Sequence, residues 1–361
     1  MGMKVVLIGL GQAGGKLTQA LATYDYEMGF DAIRDALAVN TARADLQSLE
    51  IDTMLIGQDR VKGHGVGGDN ELGAEIMQSE ATEVLDGLDG RITSQAEGIF
   101  VVAGLGGGTG SGGAPVLAKE LKRIYDIPVY VLGILPGRSE GSIYQANAGR
   151  SLKTVAREAD ATLLVDNDAW QSADESVEEG FETINQQIAQ RVGLLLASGE
   201  IVEGVGESVV DSSEVINTLR PGGIAALGYA SAEASPDSAE NINTITSLAR
   251  KALLTGTSLP NAVEAETALL VIAGEPDRIA RKGVERARRW LEDETGSLEV
   301  RGGDFPLESD RLAALVLLGG VERSQRLQAF LDRATEAYEQ ASQQQAEPAA
   351  DFQNDDLENL F

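Results

Sequence analysis

The chain has 361 residues, enough for two domains with cores of their own, and carries 57 Asp and Glu against 29 Lys and Arg, a formal net charge of −28. A surface that negative repels nucleic-acid backbones and anionic membranes, so neither is expected as a partner. Cysteine is absent and His64 is the only histidine, which removes disulfides, thiolate chemistry, Ser-His-Asp triads and multi-histidine metal sites from consideration.

The basic residues are mostly Arg, with Lys at few places such as Lys4, Lys16, Lys62 and Lys119. An acidic, lysine-poor surface over an ordinary apolar content fits a protein of a salt-accumulating halophile. Concentrated salt would screen the self-repulsion, since the Debye length falls to about 3 Å at 1 M. The start of the chain passes from Met1 directly into an apolar strand without a basic region, and no run of 18 apolar residues exists. The expectation is a soluble cytoplasmic protein.

In chain order, apolar runs alternate with amphipathic ones. Lys4–Gly9 reads as a buried strand, Leu17–Tyr26 as a helix and Asp35–Asn40 as a second strand. Met54–Ile56 is a short strand, Asn70–Leu88 a helix and Ile99–Ala103 a strand. Ala114–Tyr125 is helical, Pro128–Leu135 and Ala161–Asp166 are strands, and Ala146–Glu158 is the helix between them. This alternation predicts a parallel sheet with helices on both faces and ligands beyond the carboxyl ends of the strands. From about Ser176 to Ser198, Phe181, Ile184, Ile188, Val192, Leu195 and Leu196 form an apolar stripe on one helix, more than roughly 30 Å long. Beyond it, strands over Thr267–Gly274 and Ala313–Gly319 and a helix over Asp277–Thr295, capped by Asp277, predict a smaller α+β unit. From about Ala341 the chain turns polar and reads as a disordered acidic tail, in which Phe352, Leu357, Leu360 and Phe361 are stray apolar residues or a short docking motif.

Three glycine-rich loops follow strands of the first half. Gly106-Gly107-Gly108-Thr109-Gly110-Ser111-Gly112 lies between a buried strand and a helix, where missing Cβ atoms let backbone N–H groups curl around an anion. Gly9-Leu10-Gly11-Gln12-Ala13-Gly14 fits the dinucleotide fingerprint GxGxxG, but no acid ends the next strand to hold a ribose. An NADP-dependent oxidoreductase with Arg43 on a ribose phosphate remains a rival on that loop alone. The Walker pattern fails, because Leu10 and Leu17 stand where Gly and Ser or Thr are required. The third cluster, Gly63-His64-Gly65-Val66-Gly67-Gly68-Asp69-Asn70, gives the sheet edge three such loops, which suits a long phosphate chain better than one pyrophosphate.

The order of these pieces resembles the tubulin/FtsZ superfamily of GTPases. GGGTGSG at Gly106–Gly112 is similar to that superfamily's signature, and GQAGG at Gly11–Gly15 to the tubulin form of the first loop. Ala38-Val39-Asn40-Thr41 and the loop over Gly63–Gly73 look more like FtsZ, and the mixture with a halophilic surface resembles the archaeal CetZ group, over about residues 3 to 335. The resemblance implies a parallel-sheet nucleotide-binding domain over residues 1–175, a central helix over 176–203, a smaller α+β domain over 204–338 and a tail over 339–361.

It also implies roles. Gly106, Gly107, Gly108, Thr109, Gly110, Ser111 and Gly112 would wrap the α- and β-phosphates of GTP, with Thr109 and Ser111 adding hydroxyl donors; Gln12 and Ala13 would approach the phosphates from the first loop, and Gly11 and Asn40 would also bind the nucleotide. Gly67, Gly68 and Asp69 would face the γ-phosphate and a Mg2+ ion, which is bound chiefly by phosphates and water. Glu140 would hold the ribose, and Asn167, Phe181 and Asn185 the guanine. Tyr144 stands where FtsZ proteins place an Arg. Asp211 and Glu214 match the pair of acids that a neighbouring subunit brings to the γ-phosphate, with Val209 where FtsZ has an Asn. The expected function is that of a self-assembling cytoskeletal GTPase with a role in cell shape; a non-polymerising GTP-binding regulator is the second rival.

Overall fold

The computed structural model describes residues 2–169, 177–198 and 210–346. Its first half runs β1 (Val5–Leu10), α1 (Gly11–Met28), β2 (Ile33–Asn40), α2 (Arg43–Gln47), β3 (Asp52–Leu55), α3 (Gln58–Val61), α4 (Asn70–Ser79) and α5 (Ala81–Gly87). There follow β4 (Gly98–Gly104), α6 (Thr109–Ile124), β5 (Val129–Leu135), α7 (Ser142–Glu158) and β6 (Ala161–Asp166). The long helix α8 (Val177–Ala197) leads to α9 (Ser212–Leu219), β7 (Ile224–Glu233) and α10 (Asn241–Leu254). The chain then forms β8 (Ala262–Gly274), α11 (Arg281–Thr295), β9 (Glu299–Pro306), β10 (Arg311–Ser324) and α12 (Gln325–Ala346).

The described strands form one sheet in the order β3-β2-β1-β4-β5-β6-β7-β10-β8-β9. Neighbours from β3 to β7 are parallel, β10 is antiparallel to both β7 and β8, and β9 is parallel to β8. The expected parallel domain and smaller mixed unit are therefore continuous, joined by the pairs Thr162–Ile224 and Leu163–Ala225 of β6 and β7. Strand alternation sorts the apolar residues into two layers: in β4, Ile99, Val101 and Ala103 face one and Phe100 and Val102 the other. The stripe of α8 (Ile184, Ile188, Val192, Leu195) belongs to the second layer. There a Cβ on Gly193 would come 2.6 Å from the Tyr24 ring, so glycine lets α1 and α8 approach.

Several expected elements are corrected. Helix α1 begins at Gly11 and α6 at Thr109, so the ends of the glycine motifs are first turns of helices. The helix expected over Asn70–Leu88 breaks at Glu80, whose carboxylate turns aside to accept the Gly57 N–H at 2.9 Å. Asp277 does not cap a long helix: Pro276–Arg278 form a single 3-10 turn, and α11 starts at Arg281. Residues 339–346, expected to be disordered, continue α12; they are rich in Gln and Ala, and the first proline is Pro348. The boundaries at 175/176 and 203/204, Val209, and the apolar residues Phe352 to Phe361 lie outside the described residues.

Candidate functional site

The glycine loops converge at the carboxyl edge of the sheet. Gly11 has φ +70, and a Cβ on it would stand 3.1 Å from the Gly110 backbone N, so the starts of α1 and α6 lie backbone to backbone. Neither helix has a capping side chain or an acid in its first turn. Their orphan N–H groups and the positive ends of two helix dipoles therefore share one mouth, where an anion satisfies both.

Each neighbouring loop is fastened to this mouth. Thr41, after β2, shares a 2.7 Å hydrogen bond with Thr109. Asn40 is buried and makes the turn: its Oδ1 accepts the Thr41 N–H at 2.8 Å and its Nδ2 donates to Asp45 at 2.9 Å. The third glycine loop pairs with that turn through Arg43 N–H to Gly63 O (2.9 Å) and Gly65 N–H to Thr41 O (3.1 Å). Gly67 and Gly68 are both left-handed, at φ 58 and 86, with open space around them. Asp69 is exposed and caps α4, accepting the Leu72 N–H at 3.0 Å. Helix α4 crosses α6 at glycines: a Cβ on Gly112 would stand 2.1 Å from the Asn70 carbonyl oxygen, and one on Gly73 2.4 Å from that of Gly108.

Both expected hydroxyls have partners within the protein. Ser111 donates to the Gly107 carbonyl, and Thr109 is paired with Thr41. The Ser111 proton is thus spent, whereas in the Thr41–Thr109 pair either hydroxyl can donate, so the cradle offers backbone N–H groups and the Thr109 hydroxyl when Thr41 donates to it, with Gln12 and Ala13 in the exposed first turn of α1. Asp69 is a single carboxylate, and among the described residues no cluster of three His, Asp or Glu could hold a metal ion. A magnesium ion here would take its ligands from phosphate oxygens and water.

Beside the cradle, the loop from Pro136 to Gly141 is closed by Glu140, which accepts the Gly137 N–H at 2.7 Å and a bond from Asn167. Burial pushes the Glu140 carboxyl up, and the two donors pull it partly back. Asn167 is buried in the turn after β6. Its neighbours Asp166 and Asp168 are both bound by Arg326 of α12, and Asp168 also accepts the Arg138 N–H at 2.8 Å. On α8, Phe181 packs against the second apolar layer, and Asn185 one turn later opens into a groove of about 900 Å3 between α1 and α8, beside Lys16, Gln19 and Glu182. Tyr144 sits in the first turn of α7 against Gly106, where a Cβ would come 3.2 Å from the Tyr144 Cβ.

Sequence reasoning passed over Asn147 and Ser151, one turn apart on α7 and both buried. Asn147 Nδ2 donates to Gly68 O at 2.7 Å and Gly106 O at 3.0 Å, and Ser151 donates to Ser111 O at 2.7 Å. Their partners are backbone carbonyls, which leave no mark in the sequence. A buried Asn on an amphipathic helix was the one available signal.

Asp211 and Glu214 are not at this edge. Asp211 caps α9, accepting the Glu214 N–H at 3.1 Å, and Glu214 pairs with Arg301 of β9 at 3.3 Å. Ser212, between them, donates to Glu97 at 2.7 Å, and Glu97 immediately precedes β4. The acids thus stand at the amino edge of the sheet. Arg43 reaches Gln58 at 3.3 Å, in the turn that joins the third glycine loop, and not a dinucleotide's ribose site on α1.

A cradle of two uncapped helix starts, flanked by a buried acid and a long crossing helix, defines a nucleotide-binding protein of tubulin/FtsZ architecture. The Tubulin/FtsZ family GTPase domain matches residues 4–174, and the Tubulin-like CetZ C-terminal domain matches residues 174–336. CetZ2 of Haloferax volcanii is 70% identical over 360 residues, covering 99% of this chain and 100% of the relative. The structure of the CetZ2 GTPγS-bound protofilament superposes with a TM-score of 0.91, covering 94% of this chain and 100% of that one. That of CetZ1 from the same organism, a GDP-bound monomer, is 50% identical with a TM-score of 0.86, covering 93% and 100%. The chain belongs to the tubulin-like CetZ family of the tubulin/FtsZ superfamily. That membership removes the oxidoreductase reading of the first loop.

Proposed function

We propose that this protein is a cytoskeletal GTPase that grips GTP in one subunit and cuts it only where a second subunit docks head to tail. Gly11 to Ala13, Asn40 and Gly106 to Ser111 frame the α- and β-phosphates. Gly67, Gly68 and Asp69 face the γ-phosphate and its magnesium ion. Glu140 takes the ribose, and Asn167, Phe181 and Asn185 take the base. Asp211 and Glu214 of the neighbour position and polarise the attacking water. The magnesium ion supplies charge neutralisation at the phosphates when bound.

One observation carries this reading: the acids and the cradle occupy opposite edges of the sheet. Strand β4 has seven residues, so at about 3.3 Å each its ends lie about 20 Å apart, with the Glu97–Ser212 contact below and the glycine run above. No chain's acids reach its own γ-phosphate across that span. A repeated contact of this heterologous kind that does not close makes a filament, as supported by the protofilament described for CetZ2.

Specific GTPase activity in molar KCl is then expected to climb with protein concentration. Glu214→Ala should slow turnover by roughly 10²–10⁴-fold, leave GTP binding intact and give long-lived polymers. Activity independent of concentration, with no pelletable GTP-dependent polymer, would instead favour the non-polymerising regulator. No helix among the described residues is long and apolar enough to cross a membrane. We assign the protein to the cytoplasm and to cell-shape control, on the tubulin-like Asp-x-x-Glu form of the acids; cells lacking it that keep their shape would overturn the latter.

A further inference from the structure

Asn147 stands between the two loops that meet the ends of the triphosphate. It is 3% exposed, and its amide nitrogen lies 2.7 Å from Gly68 O, 3.0 Å from Gly106 O and 3.5 Å from Gly107 O. An amide has two protons, so it holds one carbonyl of each loop at a time. The helix that carries it is itself docked: Ser151 donates to Ser111 O at 2.7 Å, and Arg150 pairs with Glu71 of α4.

Two consequences follow from peptide geometry. A trans peptide points its N–H opposite to its C=O. With the Gly106 carbonyl drawn towards α7, the Gly107 N–H is turned the other way, into the cradle. The Gly67–Gly68 segment, by contrast, has two left-handed glycines and no atoms packed where their Cβ atoms would be. Val66 and the Asp69 backbone pack on Gly108 at the ends of this stretch, but of the hydrogen bonds described only those of Asn147 link Gly68 itself to the phosphate loop around Gly106.

We infer that Asn147 is a positioning residue that sets the distinction between GTP and GDP, by pinning the Gly67–Asp69 loop at a fixed spacing from the Gly106–Gly108 loop. The inference rests on the proposed facing of Gly67–Asp69 to the third phosphate. A diphosphate needs only the Gly106 side of this staple, whereas a triphosphate needs both sides, so losing the staple weakens the triphosphate more.

The test measures GTPγS and GDP affinities in molar KCl for the parent, Asn147→Ala and Ser151→Ala, together with each melting temperature. Asn147→Ala is expected to lose about tenfold in GTPγS affinity, the scale of a buried hydrogen bond left unmade, with GDP affinity changed less than about threefold. Ser151→Ala removes an equally buried bond from the same helix and is expected to lower the melting temperature while leaving the GTPγS-to-GDP ratio unchanged. An unchanged ratio in Asn147→Ala, or an equal shift in Ser151→Ala, overturns the role. If Asn147→Ala does not fold, Asn147→Ser, which keeps one donor, carries the same ratio measurement. A parent that binds neither nucleotide refutes the underlying site instead.

Discussion

Gly112 and Gly113 are adjacent on α6, yet the structure assigns opposite outcomes to alanine at the two. On Gly112 a Cβ would stand 2.1 Å from the Asn70 carbonyl oxygen and 2.6 Å from the Ala74 N, both backbone atoms of α4. Backbone cannot swing aside, so α4 and α6 must part by about an ångström. That sits at the upper end of overpacking costs, about 3 kcal/mol, against about 1 kcal/mol gained by replacing Gly with Ala inside a helix. In a chain of 361 residues the net loss of about 2 kcal/mol corresponds to a fall of about 3 °C in melting temperature. On Gly113 the nearest atoms would be the Met77 methyl at 3.2 Å and a Leu10 methyl at 3.6 Å, ends of side chains that can yield. Gly113→Ala should therefore be neutral or stabilising by up to about 1 kcal/mol. Melting in molar KCl, without nucleotide and then with GTPγS, checks both. The parting of α4 and α6 also carries Asp69 away from Gly108, so Gly112→Ala should lose the GTPγS-induced shift while Gly113→Ala keeps it. Equal melting temperatures for the two variants would refute the reasoning.

Three further outcomes are expected. The Glu140 carboxyl is raised above its ordinary 4.5 by burial, so the folded protein holds that proton more tightly than the unfolded chain, and this group's contribution to stability falls as pH rises through the raised value. A ribose hydroxyl donating to Glu140 favours the ionised form, so nucleotide affinity should rise across that window and Glu140→Gln should flatten the rise, as read by fluorescent-nucleotide titration. Arg326→Met leaves the buried Asp166 carboxylate without its cation, at a cost of about 3–5 kcal/mol in urea unfolding, and Asp166→Asn combined with it should recover most of the loss. The melting temperature should climb continuously from about 0.1 to 3 M KCl as salt screens the net charge of −28; a plateau at low salt would count against a halophilic surface.

What was legible in the sequence followed from steric necessity. Gly11, Gly108, Gly110 and Gly112 stand where a Cβ would strike backbone or a packed side chain, and such positions print glycine into the chain. Strand β1 and strand β4 announced themselves because both of their faces are buried. The starts of α1 and α6 were hidden by the same glycines: poor helix formers read as loop, while contact between the two helices holds them helical. Strands β7 and β9 escaped notice because Tyr229 to Glu233 and Glu299 to Asp304 are only partly buried and carry polar residues. The partners of Glu214 and Asn147, an arginine 87 residues away and carbonyls 79 and 41 residues away, are products of tertiary folding alone.

Placing cradle and carboxylates on opposite rims makes any row of stacked subunits directional. One terminus leaves a nucleotide uncovered, and the other leaves Asp211 and Glu214 facing water. On the proposed split site, a row of n subunits completes n−1 reactive contacts, and the uncovered nucleotide at its end would outlive the rest. A molecule that arrests growth at the Asp211 and Glu214 terminus would be a cation, whereas one for the other terminus must fit over phosphates already seated on the amides.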